Sequence, residues 1–269
     1  MLHGLKEMYN FVGETFQIAH IMSNVSQYNY VVEPFSEDYC GSLAWGTLGN
    51  LILRCASMHA GEHGFGYPQM IAIHHAWVLS RLVIEMDERP RTDEQFGIQT
   101  WVDRLYRQFT DRHFSIVRPD GTAYGHATSI WALIDTETRQ PADLTQLPDG
   151  GFTDALMPDR PSPIAPMGRI RMKHPQLELT RKALYTDLDI NGHVNSIRYV
   201  EFLLNHFSPE EMKLHPVRRI EMAYCLEAYC GDVLQVWHEV DERDPKRHLF
   251  EIRKETDGSV IVKAALVQR

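Results

Sequence analysis

Nine consecutive residues, Asp187-Leu188-Asp189-Ile190-Asn191-Gly192-His193-Val194-Asn195, gather two carboxylates, two amides, an imidazole and a glycine. Side chains of these types can orient water, accept a proton and donate to a developing oxyanion. An apolar stripe begins at once after them. Val194, Ile197, Val200, Leu204 and Phe207 recur at spacings of three and four, the period of one helix face. Ser208-Pro209 should end that helix, because proline cannot continue it. Upstream, Leu177-Glu178-Leu179-Thr180 alternates as a strand does. The cluster is therefore predicted on a turn that feeds a helix N-terminus, where unpaired backbone N–H groups favour negative charge.

Plainer readings compete with catalysis. Asp and Asn are ordinary helix caps and Gly192 suits a tight turn. On that view Asp187 is a turn former and Asn195 a cap. Asp187, Asp189, Asn191 and Gly192 also match the opening of a calcium loop. That loop needs a bidentate Glu at its twelfth position, which here is Arg198. His59-Ala60-Gly61-Glu62-His63 fits the zinc pattern H-x-x-E-H, with two imidazoles on one helix face. Gly61 and Gly64 predict the helix ending there, and no third ligand is identifiable. His74-His75 reads as the lead into a strand. The cysteines, Cys40, Cys55, Cys225 and Cys230, form no C-x-x-C pair and no zinc spacing. No nucleotide loop occurs either, so neither metal nor cofactor is expected.

The elements that must position the cluster come in two sets. Tyr28 to Glu33 reads as a strand, followed from about Leu43 by a helical run with Leu48, Leu51, Ile52, Cys55 and Met58 on one side and Ser42 as N-cap. The glycine-rich stretch 61–66 ends it. Strand-like segments follow near 76–88, 96–104, 109–117 and 123–134, with Asp120-Gly121 as the turn between the last two. Ile84-Glu85-Met86 then recurs as Ile220-Glu221-Met222, 136 residues later. At the same offset Gln99 meets Gln235, Trp101 meets Trp237, Phe114 meets Phe250 and Ile116 meets Ile252. One inserted residue aligns Asp120-Gly121 with Asp257-Gly258. A tandem duplication follows. Each copy is predicted as α+β, one long helix buried against a curved antiparallel sheet.

Between the copies, Arg139 to Pro166 carries six prolines and little periodicity, as a surface linker would. The expected boundaries are an extension over 1–26, a first domain over 27–138, a linker over 139–168 and a second domain over 169–269. In the extension, Leu5, Met8, Val12, Phe16 and Ala19 could share one face of a short helix. The first copy's helix is preceded by Phe35-Ser36-Glu37-Asp38-Tyr39-Cys40-Gly41, with no His near the helix start. Duplication thus leaves the chemistry in one copy and frees the other to shape a pocket for an apolar chain.

Composition narrows the partners. A chain of 269 residues with 43% hydrophobic content can bury a sizeable core, in one large domain or two small ones. Its net charge of −9 argues against nucleic acid and anionic membrane surfaces. No apolar run is long enough to span a bilayer. Lys6, Glu7, Asn10 and Glu14 interrupt the N-terminal apolar residues, so no signal peptide is expected. With four cysteines, a cytoplasmic location is expected.

The motif Asp187 to Asn195 resembles the active-site motif of fatty acyl–acyl carrier protein thioesterases, plastid and bacterial enzymes that release fatty acids. The functional Asp, Asn and His of D-x-N-x-H in that family fall on Asp189, Asn191 and His193. The resemblance covers most of the chain beyond about residue 27. It implies the hot-dog fold twice per chain, the acyl chain gripped by the N-terminal half and hydrolysis at the C-terminal half. In the plant enzymes a Glu-Cys pair lies in a segment resembling Tyr224 to Leu234. Gapless alignment puts Glu227 on that Glu and Ala228 on that Cys, so the family thiol is missing here. Cys230 would point the same way as Ala228 on a regular strand, but the register does not place it on the Cys. Loss of the thiol favours direct attack by water over an acyl-enzyme.

The implied roles are Glu227 as general base, Asn191 and His193 holding water and carbonyl, and Asp189 orienting those side chains. Backbone N–H groups at the start of the 194–207 helix would take the oxyanion. The implied partner is acylated acyl carrier protein. Such carriers are acidic like this chain, so docking calls for a local basic patch, with Arg169, Arg171, Lys173, Arg218 and Arg219 as candidates or as ordinary surface. Coenzyme A thioesters would suit the same patch. An acyl-CoA thioesterase, an acyl-thioester dehydratase on the same fold and a non-catalytic acyl-chain binder stay open, as does a homodimer.

Overall fold

The computed structural model describes residues 24–146 and 155–269. The stripe expected at Leu5 to Ala19 lies outside them, as does part of the linker. The first half contributes β1 (Ser26–Val31), α1 (Trp45–Glu62), α2 (Tyr67–Ala72), β2 (His75–Met86), β3 (Gln95–Leu105), β4 (Phe109–Val117) and β5 (Ala123–Asp135). The second contributes β6 (Gln176–Lys182), α3 (Ser196–Leu204), α4 (Pro209–Leu214), β7 (Val217–Tyr224), β8 (Val233–Val240), β9 (Arg247–Lys254) and β10 (Val260–Gln268). All ten strands join one antiparallel sheet in the order β1-β3-β4-β5-β2-β7-β10-β9-β8-β6.

Read outward from the centre, the two halves of that order match strand for strand. They meet where β2 pairs with β7, and Ile84 lies opposite Ile220. The residues that the repeat aligns thus face each other, as a two-fold relation between copies requires. The turn between β4 and β5 uses Gly121 at φ 87°, and its counterpart uses Gly258 at φ 70°.

The helices bury the faces that their periodicity marks. Leu48, Ile52 and Cys55 of α1 and Ile197, Val200 and Leu203 of α3 are all at most 1% exposed. Met58, expected on the same side, is instead 38% exposed, because the stripe rotates away before α1 ends. One hydrophobic cluster takes residues from both helices and from the sheet of both halves. α1 and α3 approach closely: a Cβ added at Gly49 would stand 2.8 Å from Ile197.

Three local expectations need correction. Ser42 does not cap α1. Ala44 holds that position without a side-chain hydrogen bond, and the Ser42 carbonyl accepts from Asp38 N–H inside the preceding loop. α3 spans Ser196–Leu204 rather than 194–207, with Asn195 as its cap, accepting from Ile197 N–H at 2.8 Å. Ser208-Pro209 does not end α3, which stops at Leu204, but starts the next helix, since Ser208 and Glu211 form the capping box of α4. Among the described residues, no helix is long and apolar enough to cross a membrane.

Candidate active site

The polar cluster folds as a closed turn in front of α3. Asp189 N–H donates to the His193 carbonyl at 2.8 Å, and Leu188 and Val194 form an antiparallel bridge. Gly192 takes φ 78°, a left-handed conformation that costs a side chain about 1–2 kcal/mol. The Asp189 carboxylate accepts from the backbone N–H of Asn191 at 2.8 Å and of His193 at 3.3 Å. It therefore orients the backbone of the turn rather than the neighbouring side chains. Asp187 is buried, accepting from Arg181 and from Leu184 N–H at 2.9 Å each, a structural role as its turn-former reading expected. Arg198, at the twelfth position of the calcium pattern, donates to Glu201 and to the Thr186 carbonyl.

Glu227 enters from the loop after β7. A bridge between His193 and Tyr229 and a bond from Val194 N–H to the Ala228 carbonyl, 2.8 Å, fix that loop against the turn. The Glu227 Oε2 lies 3.5 Å from His193 Nε2 and accepts from the Tyr229 hydroxyl at 3.0 Å. Its Oε1 accepts from Arg139 at 2.6 Å. Burial alone would raise the Glu227 carboxyl, but the bonds from Arg139 and Tyr229, together with the nearby charges, outweigh it and hold the group below the usual value. The Tyr229 ring stands edge-on to His193 at 5.1 Å.

Neither Arg139 nor Tyr229 was legible as a site residue. Arg139 is the first residue of the expected linker, and its backbone takes φ 60°, in the left-handed region where non-glycine residues are uncommon. Ala228 is fully buried and Cys230 exposed, so the two do not point the same way. The segment is a loop rather than a regular strand, which removes the alternation that expectation assumed. The oxyanion expectation also narrows. Val194, Asn195, Ile197 and Arg198 N–H groups already have partners, which leaves Ser196 N–H at the helix start.

Ser196, Asp189, Asn191, His193, Glu227 and Arg139 share the wall of a cavity of about 880 Å³. The rest of the wall is mostly apolar and comes largely from the first half, including Leu53, Ala56, Phe65, Met70, Leu79 and Trp131. A mostly apolar space with a few polar groups on its wall is the form of a small-molecule site. Arg112, 4% exposed, also reaches this wall from β4, where its guanidinium donates to Thr100 at 3.2 Å.

The first half repeats the turn without the chemistry. Asp38 N–H donates to the Ser42 carbonyl, Asp38 Oδ1 accepts from Cys40 N–H at 2.9 Å, Glu37 bridges Leu43, and Gly41 takes φ 70°. Cys40 and Ser42 thus stand where the second half has Asn191 and His193. Leu43 N–H bonds the Pro90 carbonyl as Val194 N–H bonds that of Ala228, which sets Arg89 in the place of Glu227. Arg89 is buried and donates to Asp38 at 2.7 Å, closing the corresponding space with an ion pair.

The zinc-like pair His59 and His63 is not arranged around a metal. The rings stack at 4.2 Å, and Glu62 instead accepts from Ser26 and Tyr28. Much of the expected basic patch is paired within the chain: Arg218 and Arg219 with Glu85, Arg219 also with Glu221, and Lys173 with Glu242. Arg169 and Arg171 stay exposed.

Comparison with known proteins agrees with this layout. The acyl-ACP thioesterase N-terminal domain model matches residues 23–147, and the C-terminal domain model matches 172–267. A crystal structure of an acyl-ACP thioesterase from Bacteroides thetaiotaomicron is 41% identical, covering 91% of this chain and 98% of that one, with a TM-score of 0.84. The 12:0-ACP thioesterase from Umbellularia californica shares the fold at a TM-score of 0.77 with 19% identity, over 92% of this chain and 94% of that one. Oleoyl-acyl carrier protein thioesterase 1 of Arabidopsis thaliana, a chloroplastic protein, is 28% identical over 70% of this chain and 56% of its own length. This chain spans little more than half the length of such curated relatives.

Proposed function

Because this chain belongs to the acyl-ACP thioesterase family, we propose that it hydrolyses the thioester of fatty acyl–acyl carrier protein and releases the free fatty acid. The observation that carries this reading is the His193–Glu227 pair, 3.5 Å apart, on the wall of a cavity whose apolar remainder can take an acyl chain. The same reading makes the two halves tandem hot-dog units over 27–138 and 169–269, with 139–168 as the linker; their matching strand orders support it. A reducing cytoplasm suits the four free cysteines.

In the proposed mechanism a water hydrogen-bonds to both His193 and Glu227 from the cavity side. The Glu227 carboxylate takes its proton as the water oxygen attacks the carbonyl carbon. The tetrahedral oxyanion is held by Ser196 N–H and the Asn191 side-chain amide, each such donor being worth about 2.7–4 kcal/mol. Collapse breaks the C–S bond, sulfur leaves with the electron pair, and the proton on Glu227 passes by way of His193 to the thiolate. Asp189 acts on the turn, keeping Asn191 and His193 in place. Arg139 and Tyr229 keep Glu227 ionised, at some cost to its basicity. With the family thiol replaced by buried Ala228, no acyl-enzyme is needed.

Product analysis by mass spectrometry on fatty-acylated and 3-hydroxyacylated carrier tests the reading. Free fatty acid is expected. Enoyl thioester would make the protein a dehydratase, and no turnover on any acyl thioester would make it a binder. Cys230→Ser is expected to keep most of the activity, and its full inactivation would refute direct attack by water.

A further inference from the structure

Three histidines from distant parts of the second half converge beyond the far end of α3. His206 lies in the turn after that helix, His238 on β8 and His248 on β9. One ring nitrogen from each lies within 4.8 Å of the others, and among the described residues no other three metal-competent side chains meet in this way. Sheet register explains two of them. His238 pairs with Phe250 and Val240 with His248, so the two imidazoles are diagonal neighbours on one face. The chain leaving α3 lays His206 over that face, with its ring 4.0 Å from that of His238.

The remaining ring nitrogens meet acceptors. Glu178 stands 3.5 Å from His238 Nδ1 and 3.7 Å from His206 Nδ1. His248 Nε2 lies 3.2 Å from the Gln268 Oε1. Glu178 is the residue left unpaired by the bulge between Leu177 and Leu179, a device that re-aims a side chain. A ring proton on each outer nitrogen would face its acceptor, at hydrogen-bond length for Gln268 and at a longer ion-pair distance for Glu178. The inner nitrogens, His238 Nε2 and His248 Nδ1, then turn lone pairs towards each other across 3.0 Å. A cation that accepts both removes that conflict. Ligand nitrogens around tetrahedral zinc stand about 3.3 Å apart, close to the 3.0 Å between these two, and the third ligand nitrogen lies within 4.8 Å.

We propose that His206, His238 and His248 form a binding site for one divalent transition-metal ion, zinc foremost, with Glu178 as the carboxylate behind two of the imidazoles. Imidazole donors suit zinc, copper and nickel rather than calcium or magnesium. A carboxylate behind a ligating histidine fixes its tautomer and raises its basicity. The site lies the length of α3, roughly 14 Å for its nine residues, from the turn that carries His193. Its role is to pin the C-terminal end of the helix whose other end faces the cavity, and it does not depend on the thioesterase reading.

The test uses the full chain, stripped with a chelator and titrated with Co²⁺ and then Zn²⁺. One Co²⁺ per chain is expected, with visible absorption of low-symmetry coordination, displaced by one Zn²⁺ that also raises the melting temperature. His248→Gln is expected to weaken binding at least tenfold, and Glu178→Gln about 10- to 100-fold. His193→Ala should keep the affinity of the original chain. Absence of one-to-one binding by the unaltered protein would overturn the proposal without any variant having to fold. Unchanged affinity in a His248→Gln protein with native circular dichroism, or lost affinity in His193→Ala, would overturn it too.

Discussion

At the residue scale, the site differs from its duplicate by a few substitutions on a shared backbone. Asp38 and Asp189 close the same turn, each with a carboxylate that accepts from a backbone N–H two residues on. Asn191, His193 and Glu227 are the differences, against Cys40, Ser42 and Arg89. Arg139 is one of the groups that hold the Glu227 carboxyl below its usual value, with Tyr229 and His193. Its hydrogen bond favours the ionised carboxylate, so removing it favours the protonated form and raises that group's pKa. Arg139→Gln should therefore lose activity at a higher pH than the original chain on the acid side of the kcat/KM profile. A superimposable acid limb would show that Arg139 does not tune the base. Gly192→Ala should cost about 1–2 kcal/mol in denaturant unfolding, because its φ of 78° is strained for any side chain even though open space surrounds the Cβ.

At the element scale, α1 and α3 are not equal partners. The loop residues Asp38 and Asp189 are 151 apart, whereas the strand residues Ile84 and Ile220 are 136 apart. The extra length in the first half goes into α1, with 18 residues against 9, and into the leading end of β2, which starts at His75 well before Ile84, whereas β7 starts at Val217 just before Ile220; α2 and α4 have 6 residues each. That mismatch hid the duplicated turn from a gapless comparison, although the strands and their order of turns were legible from alternation and from the two Asp-Gly pairs. The convergence of Asp189, Asn191 and His193 on one turn was legible because the motif is local. Arg139 and Tyr229 were not, since one reaches across the junction from a proline-rich segment and the other depends on a loop conformation that alternation does not encode. The His206, His238 and His248 trio was invisible for the same reason: no spacing along the chain marks residues brought together by strand register. Close packing of the two helices gives a further expectation. Gly49→Val should destabilise the fold by about 1–3 kcal/mol, read from the denaturant midpoint, because Ile197 is already 1% exposed and its side chain lies where the new group must go. An unchanged midpoint would mean that the helices separate freely.

At the scale of the whole molecule, the continuous sheet and the shared core make the halves one cooperative body. Calorimetry should show a single unfolding transition, and two resolved transitions would contradict the shared core. In the cavity the first half supplies most of the apolar wall, and the second supplies Asp189, Asn191, His193 and Glu227. Arg112 sits on β4, three strands from β7 in the sheet order, or roughly 14 Å across. Its buried guanidinium adds a polar group to that wall. The division itself is tested most directly by steady-state kinetics of Glu227→Gln on acylated carrier. A fall in kcat of at least about a hundredfold is expected, the low end of what a positioned base contributes, with KM little changed because the acyl wall is untouched. Turnover within threefold of the original chain, in a protein that melts at the same temperature, would mean that the carboxylate beside His193 is not the base.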